Sequence, residues 1–336
     1  ALGLGPLDAG MAQTESWVRA GLEFSTAQRA VEGEFSQSVP MPGAINTLAD
    51  EYYGALNLDG KDMILTRAGR GLSQAVGGED FYRSSMNDAG EWSPPVLLRG
   101  VNTRQNEGAP TWTGDGRTMI FTACASPRDG YGLRRGKGSC DLFETTWNPA
   151  KGEWGVGRNL GAPNSAGWES QPSVSADGQT LVFAQSSRGR NKPSDLVMCR
   201  RMSSGGWSQP VPLPGLVNTP YTEESPFLHP DGQTLYFSSD GHPGFGQLDV
   251  FVSRLQADGT WGEPKNLGPG INSHGRDNSL MVSPDGSLAY FATTRGSDHL
   301  DLWQIPLHAD VKPIEVSVLS GRVLDDVSGQ PLNAEV

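Results

Sequence analysis

The chain has 336 residues and a formal net charge of −12, with 44 glycines, 24 prolines and only 36% hydrophobic residues. An acidic balance of this size argues against a nucleic-acid or anionic-membrane partner for the body of the protein. No run of 18 apolar residues is present to span a membrane, and the Gly/Pro-rich composition is that of a turn-rich β protein.

Residues 1–13, ALGLGPLDAGMAQ, place small residues before a polar start and read as the end of an export signal. In 15–31, Val18 and Leu22 stand four apart and Trp17 and Phe24 seven apart, the spacing of a short helix or coil laid on the body. Residues 1–30 therefore form an entry segment.

From residue 31 a repeat takes over, and its clearest copy is 223–268. Three apolar runs, FLH, TLYFSS and LDVFVS, alternate with Pro-Asp-Gly, a Gly-rich loop and Asp-Gly, which is the pattern of an antiparallel meander. A fourth run, TWGEPKN, carries a proline and belongs at a sheet edge. The spacing recurs five times: Asn46–Glu51–Asp59, Asn102–Glu107–Asp115, Asn164–Glu169–Asp177, Asn218–Glu223–Asp231 and Asn272–Asp277–Asp285. An Asp opens each third strand (Asp80, Asp141, Asp195, Asp249, Asp301), and an aromatic marks each fourth (Trp92, Trp154, Trp207, Trp261 and, ahead of the first repeat, Phe35).

Five units of this length predict radial blades, each sheet burying its faces against its neighbours. The fifth repeat has three strands (279–282, 288–293, 300–305) and no Trp-bearing fourth. Segment 33–39 is a fourth strand without a blade, so joining the two closes the ring and leaves no open edge. The expectation is all-β: a five-bladed β-propeller over 31–310, closed by an N-terminal outer strand. After Asp310 the repeat stops, and 311–336 reads as the beginning of a β-sandwich domain, with a strand at 314–323.

The pattern PDGxxLYFxS…DVF…GxWxxPxNLGxxIN, as it stands in 230–272, resembles the TolB-like propeller repeats of Bacteroidetes-type envelope proteins. The opening SGRVLDDVSGQPLNAEV resembles the carboxypeptidase-regulatory-like sandwich that follows the propeller in that group. The resemblance implies a periplasmic or outer-membrane-associated protein, in some members part of the type IX secretion and gliding machinery. An OmpA-like domain that binds peptidoglycan commonly follows in the group. No such segment is present in these residues, so peptidoglycan binding is not assigned to them.

Glu51, Glu107, Glu169, Glu223 and Asp277 each precede an innermost strand, and five carboxylates would circle one mouth of the channel. Two readings are open. They form a site for a cation such as calcium or a glycosidase-like pair, or each accepts backbone N–H bonds from the neighbouring blade and is structural. Catalysis needs inequivalent groups, and these are equivalents, so no catalytic residue, resident metal or cofactor is assigned. The Asp that opens each third strand is expected to tie down the preceding loop, and the Asn set to hold the loop between blades. The five histidines occur singly and read as surface residues.

Cys124 ends one strand and Cys140 precedes the next of the same hairpin, within disulfide reach across a 15-residue loop. A disulfide implies an oxidising compartment; the alternative is two neighbouring thiols. Cys199 reads as a free buried thiol. The long loops gather cations, Arg128, Arg134, Arg135 and Lys137 in 125–139 and Arg188, Arg190 and Lys192 in 187–194, on the face where loops vary. Variable loops on a rigid scaffold are where binding usually resides, so an acidic envelope partner is expected there. The function predicted is a non-enzymatic envelope scaffold or protein-binding module; the alternative is a carbohydrate-binding or glycosidase-like propeller using the channel mouth.

Overall fold

The computed structural model describes residues 19–27, 37–69, 78–187, 192–316 and five positions between 324 and 330. Five antiparallel meanders account for nearly all of it. The first comprises β2 (Asp50–Leu56), β3 (Asp62–Ala68), β4 (Glu79–Ser85) and β5 (Val96–Leu97). The second has β6 (Asn106–Trp112), β7 (Thr118–Cys124), β8 (Cys140–Asn148) and two short strands on β8, β9 (Glu153–Trp154) and β10 (Arg158–Asn159). The third is β11 (Trp168–Val174), β12 (Thr180–Ser186), β13 (Asp195–Arg200) and β14 (Val211–Pro212). The fourth is β15 (Glu223–Leu228), β16 (Thr234–Ser239), β17 (Asp249–Arg254) and β18 (Lys265–Asn266). The fifth is β19 (Asp277–Val282), β20 (Leu288–Thr293), β21 (Asp301–Pro306) and, from the other end of the chain, β1 (Val39–Pro40).

Local chemistry makes each unit. The Asp-Gly turns between first and second strands place Gly60, Gly116, Gly178, Gly232 and Gly286 at φ of 65 to 70°, where a side chain would be strained. Each of these glycines donates its N–H to the carbonyl three residues back. Each preceding Asp accepts from the backbone N–H two residues on, as Asp59 does from Lys61 at 2.7 Å.

The first strands meet in sequence round a ring, β2 on β6, β6 on β11, β11 on β15, β15 on β19, and β19 back on β2. Five buried clusters fill the five junctions between meanders. Ile64, Phe81, Phe121 and Phe143 fill the first. Met63, Tyr82, Met281 and Leu302 fill the closing one. Trp92, Trp154, Trp207 and Trp261 are all buried in these clusters. One parallel pairing, Trp168 with Cys140, also links the second and third meanders through the backbone.

The closing strand differs from its expected span. It pairs through Val39–Pro40, opposite Gln304 and Trp303, four residues beyond Phe35 just as Val96 is four beyond Trp92. Phe35 itself lies outside the described residues. So do the export-signal stretch and most of the expected strand 314–323, of which 314–316 are irregular. Residues 19–27 are helical, and Phe24 packs edge-on against Phe245, 5.6 Å between centroids. His229 corrects the surface expectation: it is fully buried, its Nδ1 accepting from the Asp231 N–H.

Candidate binding site at the wide mouth of the channel

The five ring acids are fully buried, and none lines a cavity of the channel. Each is instead the keystone of its own loop. The Thr or Ser four residues earlier donates both its N–H and its hydroxyl to the carboxylate: Thr47 to Glu51, Thr103 to Glu107, Ser165 to Glu169, Thr219 to Glu223 and Ser273 to Asp277. The donors come from the same loop, not from the neighbouring meander as expected. Among the described residues no group of three or more metal-ligating side chains is present.

A second partner comes from directly across the strand pair. Arg67 faces Glu51, Gln185 faces Glu169, Ser239 faces Glu223 and Thr293 faces Asp277. The first three donate to their acids at 2.6, 3.1 and 2.8 Å. Opposite Glu107 stands Ala123, which has nothing to donate. Arg134, from the long loop of that meander, fills the gap: its guanidinium bonds Glu107 and the carbonyls of Val101 and Val156, with its side chain fully buried. Arg134 is therefore removed from the set of surface cations. Lys137 is partly removed too, because its ammonium donates to the carbonyls of Gly161 and Asn164 at 2.8 and 3.0 Å. Arg128, Arg135 and Lys192 are exposed, and Arg188 and Arg190 lie outside the described residues.

The loop carrying Arg134 is tied at its base. Cys124 and Cys140 face each other across β7 and β8 and form a disulfide. Closing a loop of this size stabilises by about 3 kcal/mol in the chain-entropy picture. Cys199 is free and buried, and burial pushes its thiol up to about 12. Asp141 and Asp249 hold the ends of their loops, accepting from Lys137 and Gly138 and from Phe245 and Gly246. The Asn set does more than shape a turn. Each side-chain amide exchanges two bonds with the backbone of the third strand, as Asn164 does with Leu142, and so adds a rung to its edge. Asn46 does this with Leu302, across the two ends of the chain.

Burial raises the pKa of Glu51, Glu107 and Asp277, and it acts most clearly on two further carboxyls. Glu223 is raised to about 7, chiefly by desolvation, and Asp249 likewise to about 7. In the unfolded chain both ionise near pH 4. Between about pH 4 and about 7 the folded protein thus holds more protons than the unfolded one, and stability falls as pH rises through that window. The urea midpoint is expected to decline from pH 5 to 7, with a shallower decline in Glu223→Gln. A midpoint that climbs over this range in both proteins contradicts the assignment.

Two residues beyond each acid, the inner strand breaks register, and the bulged residue is left-handed: Tyr53, Ala109, Gln171, Ser225 and Ser279, at φ of 45 to 57°. These five form the waist of the channel. On the side of the Asp-Gly turns lies a narrow cavity of about 80 Å³. On the side of the long loops it opens into a vestibule of about 880 Å³.

The vestibule is where the meanders differ. The position after the ring acid is Tyr52, Gly108, Ser170, Glu224 and Asn278 in turn, and all five line it. Tyr52 donates its hydroxyl to Glu79 at 2.8 Å, and its ring meets Tyr53 edge-on at 5.2 Å. Glu224, with a side chain 12% exposed, faces Arg276 at 3.5 Å. Burial raises its pKa, against the pull of Arg276 and of the amides of Gln171 and Asn278. Burial also holds the Tyr53 phenol well above its usual range. The identical ring acids pointed to equivalent groups; the unequal ones, Glu79 and Glu224, stand beside them.

No family model matches the chain, and no curated protein matches it. Among solved structures it is similar to an α-L-arabinofuranosidase from Lactobacillus brevis, at 12% identity and TM-score 0.51 over 87% of this chain and 97% of that one. It is similar to a glycoside hydrolase at 9% identity and TM-score 0.52, over 88% and 97%. TolB from Acinetobacter baumannii also matches, at 14% identity and TM-score 0.46 over 78% of this chain and 56% of that one. The chain thus spans little more than half of that TolB. Likeness at these identities concerns fold alone. The fold is a β-propeller.

Proposed function

We propose that this chain is a five-bladed β-propeller that acts as a non-enzymatic binding scaffold of the cell envelope. The observation that carries the reading is the inequality of the two faces. One presents five short Asp-Gly turns, uniform in backbone. The other presents the long loops, the exposed Arg128, Arg135 and Lys192, and the vestibule. A rigid ring with variation confined to one face is the arrangement of a binding module. The disulfide supports an oxidising compartment, hence export. The repeat resemblance supports a place beside an outer-membrane or type IX secretion assembly, with 311–336 opening a carboxypeptidase-regulatory-like sandwich.

The partner is a protein with an acidic patch, recruited by the exposed cations and weakened by salt. Co-purification from solubilised envelopes, with the captured partner re-expressed and titrated against the pure chain, tests this. Arg128→Glu with Arg135→Glu and Lys192→Glu is expected to lose the partner while melting like the wild type. Undiminished binding by that triple variant removes this face from consideration.

A second reading is favoured by one observation, the inequivalent carboxylates Glu79 and Glu224 at one cavity. Glycoside hydrolysis uses two carboxyl groups in different roles. Release of reducing sugar by the wild type and not by Glu224→Gln would establish it.

A further inference from the structure

The vestibule is lined by polar groups from every side, but its aromatic rings all come from the first and third meanders. The first three contribute the rings of Tyr52, Tyr53 and Trp168, with Gly108, Ala109 and the disulfide, and also Glu79, Gln171 and Lys192. The fourth and fifth contribute Glu224, Asp240, Gln247, Arg276 and Asn278. A ligand lying in the opening meets rings together with donors and acceptors.

The charges there are largely spoken for. Glu224 faces Arg276 and is flanked by two amides, and Glu79 accepts from Tyr52. A cation would find Glu224 and Glu79 engaged, Asp240 accepting from the Thr222 N–H, and two cations, Arg276 and Lys192, beside them. An anion would find two cations, Arg276 beside Glu224 and the exposed Lys192, against three carboxylates, Glu79, Glu224 and Asp240, lining the same cavity. A lipid chain would have to desolvate those polar groups without satisfying them. What remains is a neutral molecule with an apolar face and an edge of hydroxyls that both donate and accept.

We propose that the vestibule is a binding site for a neutral sugar unit, its apolar face against Tyr52, Tyr53 and Trp168 and its hydroxyls toward Glu224, Gln171 and Asn278. The cavity, about 880 Å³, lies in the size range of small-molecule sites. The site goes beyond the protein partner proposed above, with which it shares only Lys192, and it deepens the second reading by naming a neutral sugar for the cavity of Glu79 and Glu224 while requiring no hydrolysis.

The experiment is a glycan array of neutral oligosaccharides and their uronic-acid counterparts probed with the whole chain, followed by calorimetric titration of the strongest neutral hit. Saturable binding of neutral members, with the acidic counterparts weaker, is expected. Thr294→Trp, an exposed substitution at the opening, should abolish it. Trp168→Ala should weaken it about tenfold; Thr294→Trp should keep the wild-type melting profile, whereas Trp168 also packs against the cluster between the third and fourth meanders. If Trp168→Ala melts early, the Thr294→Trp result decides alone. No neutral hit, preference for the acidic members, or binding that survives Thr294→Trp overturns the site. Loss of the protein partner by the Arg128/Arg135/Lys192 reversal without any sugar binding sinks this inference and leaves the scaffold reading standing. Sugar binding with no partner captured does the reverse.

Discussion

Arg134→Met is expected to lower the stability of the protein by about 3–5 kcal/mol, the usual cost of removing one partner of a buried ion pair. Glu107 sits fully buried, and after the substitution only Thr103 would donate to it. Arg135→Met, one residue on and exposed, should change stability by no more than about 0.5 kcal/mol. Urea titration of the two variants separates the cases. The arrangement in the third meander also points to a rescue. Gln185 stands opposite Glu169 at the position Ala123 holds opposite Glu107. Ala123→Gln combined with Arg134→Met should therefore recover part of the loss. Equal midpoints for Arg134→Met and the wild type would mean that the guanidinium is not the missing donor.

Removing residues 1–41 is expected to make the protein aggregate. The deletion takes away β1, and with it the bond from the Met41 N–H to the Leu302 carbonyl. It also takes a buried side chain out of the closing cluster. β21, flanked by β1 and β20 among the described strands, would then present an unpaired edge. Light scattering and size exclusion read the outcome, and Asn46→Ala offers a milder companion. That change strips two bonds from Leu302 and should cost about 1–3 kcal/mol while keeping the strand. A truncated chain that elutes and melts like the wild type would show that closure does not depend on this segment.

The meanders were legible because their signals are local. Asp-Gly at a fixed distance from an acid sets a turn and the phase of the strand before it. The cysteine pair was legible for the same reason, since it sits across one hairpin. Arg134 was not, because a cation in a Gly-rich loop looks solvated, and the reason for its burial lies elsewhere, at Ala123. The hint was the one apolar residue among five positions opposite the ring acids (Arg67, Ala123, Gln185, Ser239, Thr293). The vestibule was hidden by the repeat itself. Attention to what recurs settles on Glu51, Glu107, Glu169, Glu223 and Asp277, which hold loops. The residues that differ stand one and two places further along, at Tyr52, Tyr53, Glu224 and Asn278. Glu79, just before Asp80, is likewise outside the recurring pattern.

Because β1 and β21 are neighbours in one sheet, the chain enters and leaves the ring through the same meander. The Pro40 backbone lies opposite Trp303, and the exit segment is pinned close by, with the Tyr236 hydroxyl bonded to the Val311 carbonyl and the Ile314 N–H to Asp231. A pull exerted between residue 37 and residue 316 would thus bear on a two-residue strand and the few bonds around it. At the exit end it would bear on those bonds to the fourth meander, and the junctions among the first four meanders lie off its path. Mechanically the protein is a closed hoop with a single clasp, and the force that opens it is set by the clasp and not by the hoop.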